Sequence, residues 1–567
     1  MRPRTIAFGL VVALFLASPA AGAREGRAAD PTFRMYGAGY GHGLGLSQWG
    51  AYGLAKDGWT APRIVTHFYR GTKVAREASP SRLRVALVQW RDHIHLEARG
   101  GPVQLRVGRP QGRRVGTIPS GAEWMVRPQD GRYRVLNAAG KPVGGLWGGP
   151  RRHLFARYRP LGSRLHLDDT GHTYAHGFVE LNLYAGSNLR ALVVLPVEKY
   201  LRGVAEVSTS WPRSALRAQA LASRSYVLER VKALGQHRSD CNCAVRADGV
   251  DQVYWGWDRE AAPGGRRWVA AVRATAGKAI LFRGRPVKAF YHASSGGHTE
   301  AKHVVWGGDP IPYLRAACDP GDYVAANPHR TWLTQTTGSE IGRRVRAATG
   351  RNVGTVTRFA GIVRGDSGRI RWATVVGTGG RVRVSGWTLR GALGLRESKM
   401  WINHDRTPTG AIRRRYDGLR CAPGLPRSGA TAIRGGHRQA FERGALYHRR
   451  DSGDVLWLYG KVLAKYRRLG QARGLLGLPA TDVIRMPKLH GRRAEFDGGV
   501  VFHRKRSGAH ELHGPVLRYF RNHGGAGRFG FPATDVRTRA DGTRWADFDS
   551  GKRITCGPAG RCRVVSA

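Results

Sequence analysis

The octapeptide LGLPATDV at 476–483 recurs as FGFPATDV at 529–536, and FDGG at 496–499 recurs as FDSG at 548–551, a period of about 53 residues. A weaker copy lies around Phe441 to Tyr447. Units this short bury little core alone, so the C-terminal third has to be a stack of small units, each leaning on the next. The rest of the 567-residue chain lacks the period and must fold separately. The stretch between, CAPGLPRSGATAIRGG from Cys421 to Gly436, is dense in Gly, Pro and Ser and reads as a linker, which puts the repeat region at 425–567.

At the other end, Arg2 and Arg4, an apolar run from Ile6 to Ala17 and the small residues Ala21-Gly22-Ala23 form a secretory signal at 1–23, so the mature chain is expected to be secreted. A retained N-terminal anchor is the alternative. No later stretch reaches the ~20 apolar residues of a membrane span, so none is expected in the mature chain. Lys and Arg number 94 against 39 Asp and Glu, a net charge of +55 spread along the chain, which favours polyanionic partners. For an exported protein these are anionic cell-wall polymers. No helix-turn-helix, zinc-finger or RNA-binding motif is present, and a nucleic-acid partner is not expected.

Residues 83 to 190 alternate in strand fashion, as in LRVALVQW, HIHLEA, VQLRVG and VELNLYAG. They lead into LPVEKYLRGVAEVSTSWPRSALRAQALASRSY at 195–226, where Val197, Tyr200, Leu201 and Val204 have the spacing of one apolar helix face. A second helix opens with Ser210 as cap and Pro212 in its first turn and continues through an alanine-rich run. The fold class is therefore α+β: a β-rich body with a helical pair, and a small repeat domain. Glu206 sits in the turn between the helices, where partial burial beside Trp211 would raise its pKa. Glu198, at the start of the first helix, suits the helix dipole.

Two further clusters carry polar chemistry. GAGYGHGLGLSQWGAYG, within 33–75, combines glycines that let a backbone approach a ligand with His42, Gln48 and Trp49. It lacks the strand context and GxxxxGK[ST] pattern of a nucleotide loop. AFYHASSGGHTE presents Tyr291, His292, Ser294, Ser295, Gly296, Gly297 and Thr299, without the GxSxG of a serine nucleophile. The six cysteines suit disulfides in an exported chain. Cys556 and Cys562 form a local pair. A bond between Cys241 and Cys243 would close a small ring, so pairing elsewhere or metal ligation with His237 stays open.

Four ordered motifs, the Glu206 segment, DQVYWG, AFYHASSGGHTE with VWGGDPIPYLRA, and GRIRWATVVG with VSGWTLRGALGLRES, resemble the stage II sporulation protein D (SpoIID/LytB) family over roughly residues 83–400. GHGLGLSQWGAYG is similar to a motif that the family carries near the end of its domain, so the fold must return residues 33–75 to the same cleft. The C-terminal units look like LGFP repeats, which implies cell-wall binding. The resemblance implies a catalytic domain over 76–420 and a peptidoglycan lytic transglycosylase with Glu206 as its one acid and base. It implies substrate contacts at His42, Gln48, Arg217, Tyr226, Tyr291, His292, Ser294, Ser295, Gly296, Gly297 and Thr299. Arg217 stands where the family often has Lys. Val250 and Asp251 replace residues that ligate metal in some members, so neither metal nor cofactor is expected. The alternatives are a non-catalytic glycan binder that enhances a wall amidase, and a polyanion-binding structural protein.

Overall fold

The computed structural model describes residues 29–158, 162–184 and 187–567; the expected signal at 1–23 lies outside them. The period-two runs form two packed antiparallel sheets. In one, Leu83–Arg91, Asn188–Leu195, Phe178–Tyr184, Leu154–Arg157, Val103–Val107 and Arg113–Ile118 pair in that order, and the short strand Val245–Arg246 adds in parallel to Leu83–Arg91. The other orders His172–Tyr174, Arg164–Leu167, Ile94–Arg99, Glu123–Gln129 and Arg132–Leu136. Alternation decides which side faces in: Val103, Leu105 and Val107 are buried, whereas Gln104 and Arg106 are half-exposed. The class is α+β, and no helix among the described residues is long and apolar enough to cross a membrane.

The first strand among the described residues, Thr32–Gly37, is the centre of a three-stranded sheet between Trp332–Thr337 and Met400–Ile402. Phe33 and Met35 anchor it in a second core with Ile341, Val345 and Leu389. From there the glycine run threads into the body, and Leu46–Ser47 pairs in parallel with Tyr291–His292. Gly45 shows why glycine is needed: its φ is +65°, and a Cβ there would lie 2.2 Å from the Phe290 carbonyl oxygen. The close approach is to the protein's own chain rather than to a ligand.

The helical pair is unequal. Val197–Tyr200 makes one α turn and Leu201–Gly203 a 3-10 turn, after which Val204 bridges to Tyr254. The four apolar residues are all buried, yet the helix stops early because the Leu201 carbonyl accepts from Trp268 Nε1 (2.9 Å) and Ala205 N–H donates to the Val253 carbonyl (2.9 Å). The second helix runs Arg213–Leu234, about 33 Å long, and Pro212, not Ser210, is its N-cap residue. Ser210 instead bonds Ser208. Glu198 does more than face a dipole: its two oxygens accept from Arg224 Nε and Nη2, each at 2.8 Å, and so neutralise a fully buried guanidinium.

The C-terminal region holds three antiparallel four-stranded sheets, spanning Thr431–Tyr459, Ile484–His513 and Arg537–Ser566. The presumed linker is the start of the first unit. Pro426 bridges Phe441 as Pro479 bridges Phe496 and Pro532 bridges Phe548. Glu442 accepts from Leu425 N–H as Asp497 does from Leu478 and Asp549 from Phe531. Each unit packs on a helix supplied from upstream. Phe548 stacks on Phe520 of Gly514–Asn522 (5.3 Å) and Phe496 lies against Tyr466 of Gly460–Arg468 (4.5 Å). Phe441 stacks on Tyr416 of Gly410–Leu419 (5.1 Å), a helix that precedes the repeats. Disulfides join Cys318 to Cys421, Cys556 to Cys562 and Cys241 to Cys243. The last replaces the open alternatives for that pair, and His237 bonds Asn242 instead.

Candidate active site

Glu206 lies half-buried in the loop before the long helix, at the wall of an open cleft of about 530 Å³. Its Oε1 accepts from Val253 N–H at 2.7 Å, which fixes the carboxyl against residues 249–253. Burial pushes its pKa up, against the opposing hydrogen bonds of Val253 N–H, the Tyr291 hydroxyl and the Gln48 amide. A buried relay orients that hydroxyl: Tyr200 OH donates to Gln252 Oε1 (3.0 Å), and Gln252 Nε2 donates to Tyr291 OH (3.0 Å). Burial and the neighbouring Glu206 raise Tyr291 well above an ordinary phenol, so it stays a donor.

The glycine-run segment supplies the adjoining wall. Gln48 follows the cap residue Ser47 and reaches the Glu206 backbone carbonyl at 3.3 Å. The His42 ring packs 5.4 Å from His292 and 5.0 Å from Trp306. Burial, with Arg369 and Arg390 nearby, pushes His42 down to about 3, and burial likewise holds His292 far below its ordinary value. Both rings are neutral: His42 Nδ1 accepts from Leu44 N–H and His292 Nδ1 donates to the Leu44 carbonyl.

Asp251 is a second carboxylate of this cleft, but its side chain is wholly buried and its oxygens are taken. Tyr226 OH (2.6 Å) and Arg230 (2.8 Å) reach Oδ1; Arg238 (3.2 Å) and Arg246 N–H (2.9 Å) reach Oδ2. Asp251 thus serves as an anchor for Tyr226 and the 246–253 loop, with no free lone pair directed at a ligand.

The cleft gathers Glu206, His42, Gln48, Tyr226, Tyr291 and His292, residues drawn from four distant segments. Arg217 does not join them; it is exposed on the second turn of the long helix, outside the lining. Nor do Ser294, Ser295, Gly296, Gly297 and Thr299. Ser294 and Ser295 are fully buried and donate to Asp322 (2.9 Å) and Asp319 (2.7 Å), while Thr299 Oγ accepts from Ala317 N–H (3.0 Å). Gly296 gives its carbonyl to Lys399, and Gly297 N–H donates to Asp322 at 2.9 Å. At Gly297, φ is +91° and a Cβ would sit 2.5 Å from the Tyr323 hydroxyl, so packing rather than ligand access demands glycine. The loop's polar groups turn inward because buried carboxyls need donors.

Trp306, Trp387 and Arg390 also line the cleft, and Trp387 is 38% exposed. The two indoles meet edge to face at 5.7 Å, and Arg390 lies 5.0 Å over Trp387. Trp306 falls within the motif VWGG and Trp387 within SGWTLRG, which is the sequence signal that could have found them. A carboxyl with a raised pKa in a cleft that also presents indole faces can protonate an oxygen on a ligand whose apolar face stacks.

Residues 185–282 match the Stage II sporulation protein (SpoIID) family, and residues 424–474 and 476–527 match the LGFP repeat. The chain thus carries a SpoIID domain followed by LGFP repeats, with 529–566 forming a third unit of the same build. Among curated proteins it is similar to stage II sporulation protein D of Bacillus amyloliquefaciens, at 29% identity over 153 residues covering 25% of this chain and 44% of that protein. The same protein of Bacillus subtilis (strain 168) is 27% identical over 155 residues, with the same coverage. An amidase enhancer of Bacillus subtilis (strain 168) is 33% identical over 128 residues, 22% of this chain and 15% of that protein. The aligned part spans less than half the length of each of these relatives.

Proposed function

We propose that the chain is an exported peptidoglycan lytic transglycosylase, held at the cell wall by its LGFP repeats and by its net positive charge. Glu206 in its neutral form protonates the glycosidic oxygen that follows N-acetylmuramic acid. The resulting carboxylate then accepts the proton of that sugar's C6 hydroxyl, whose oxygen closes on C1 as a 1,6-anhydro ring. One proton goes out and one returns, and no water is consumed. The observation that carries this reading is the pairing of a raised Glu206 with an Asp251 whose oxygens are fully engaged. A two-carboxylate hydrolase needs a second free carboxylate, and this cleft offers none among the described residues. Trp387, Trp306 and the neutral His42 and His292 supply stacking and hydrogen bonding to the sugar.

The test is to incubate the mature protein and its Glu206→Gln variant with peptidoglycan, including strands stripped of stem peptides, and identify products by mass spectrometry. Anhydro-muramic ends from the wild type alone are the expected result; reducing ends would mean hydrolysis and overturn the mechanism. The likeness to an amidase enhancer supports a second reading, a non-catalytic glycan binder that stimulates a wall amidase. Wall binding by both proteins, with neither cleaving, would favour it.

A further inference from the structure

A second open cleft, of about 380 Å³, lies on the far side of the loop that positions Glu206. Val253 faces the Glu206 cleft and Tyr254 the second one; Gly249 faces the first and Asp248 the second. The two clefts therefore share one wall, a few residues thick. Most of its lining, from 86–91 and 169–174, lies outside the 185–282 family match.

Its lining contains two of the molecule's exposed tryptophans, Trp90 (55%) and Trp255 (40%). Trp90 is held at φ +60°, where the register of Leu83–Arg91 against Asn188–Leu195 shifts, a costly backbone conformation for a bulky side chain. Its ring packs edge-on against Tyr184 at 4.2 Å. Trp255 stacks on His172 at 5.6 Å, and His172 is held in turn by Asp258 at 3.2 Å. Around these rings stand planar polar groups: the Arg91 guanidinium paired to Asp169, and the Asp248 carboxylate. Supported indole faces ringed by bidentate polar groups suit a pyranose, whose C–H face is apolar and whose rim is hydroxyl.

We propose that this cleft is a saccharide subsite that holds a pyranose of the glycan strand on Trp90 and Trp255, away from the bond that Glu206 cleaves. The identity of the polymer rests on the function proposed above; the subsite itself does not. It would lengthen the stretch of strand the protein grips and so favour long glycans over short ones.

Binding of stem-free glycan strands and of N-acetylglucosamine oligomers is measured by calorimetry in a Glu206→Gln background, which removes turnover. Trp90→Gly and Trp255→Ala are each expected to weaken strand binding roughly 3- to 10-fold, as loss of one stacking ring does. Trp255→Phe retains most of it. Trp90→Gly also relieves the positive φ, so its melting temperature holds or rises while affinity falls, an outcome that a purely structural Trp90 would not give. Trp387→Ala reports separately on the Glu206 cleft. If Trp387→Ala weakens binding while the Trp90 and Trp255 variants bind like the parent, the subsite is refuted and the catalytic reading stands. If the Trp90 and Trp255 variants bind weakly but the wild type yields no anhydro ends, the subsite stands and the catalytic reading falls.

Discussion

Replacing Tyr291 by Phe removes one hydroxyl and tests the electrostatics of the Glu206 cleft. The phenol donates to the ionised Glu206 while accepting from Gln252 Nε2, and in its absence that amide retains the Ser223 carbonyl at 3.4 Å. A hydrogen bond to a charged group is worth about 1.5–3 kcal/mol, and about 1.4 kcal/mol corresponds to one pH unit. Because Glu206 is half-exposed, the lower end of that range applies, and its midpoint moves up by about one unit. The sign follows from which form loses its partner: the carboxylate does, so the neutral acid persists to higher pH. Isotope-edited infrared difference spectra, wild type or Tyr291→Phe against Glu206→Gln, isolate this carboxyl and do not depend on turnover. The basic limb of the cleavage profile should move with it. Glu206 is already raised, so its contribution to stability is complete below the ordinary carboxyl value and lost as pH rises through the folded midpoint. In Tyr291→Phe that loss is completed at higher pH. A midpoint that stays put, or falls, would refute the assigned relay of Tyr200, Gln252 and Tyr291.

Three other perturbations have defined outcomes. Cys318→Ser with Cys421→Ser opens a link across a sequence separation of 103, and a loop of that length is worth up to about 4.7 kcal/mol; guanidinium unfolding should show a loss approaching that figure. Arg369→Met strands Glu397, its partner at 2.9 Å with both side chains 1% exposed. It also frees the His298 and Ser295 carbonyls, so a loss of about 3–5 kcal/mol is expected in thermal melts. Asp535→Asn removes the carboxylate that Lys465, His510 and Glu511 N–H share, and hydrogen exchange should rise in 537–566 while the first unit's sheet, 431–459, is unaffected. Burial raises Asp535, but those partners outweigh it and hold the carboxyl well below its usual range. Its stabilising effect is present above the ordinary value and is lost as pH falls below it.

Strands were legible where burial is one-sided, because Val103, Leu105 and Val107 cannot all face inward under any other period. The Glu206 turn was legible for the same reason, though the helix before it ends a turn early, at a bond from the Trp268 indole and a bond to the Val253 carbonyl, residues far away in sequence. The Ser294–Thr299 loop misled because its partners, Asp319 and Asp322, give no local sign that they will be buried and short of donors. The first repeat showed only as a weak copy around Phe441, because Glu442 stands in place of Asp and its start has a Gly-Pro-Ser composition that linkers share. Asp251 looked like a vacated ligand position; only the fold brings Arg230 and Arg238 onto it. The aromatic wall is assembled from Trp306 and Trp387, and no window of sequence contains both.

The helix Gly410–Leu419 stands toward the first repeat as Gly460–Arg468 stands toward the second, down to an Arg415 pair with Asp482 that parallels Lys465 with Asp535. The body of the protein therefore ends in the same male fitting that each repeat presents to the next, and Cys421 locks that fitting in place. The array behaves less as a leash than as a ruler whose zero is fixed to the cleft. Any unit added to it or removed would change reach by one increment without loosening the aim.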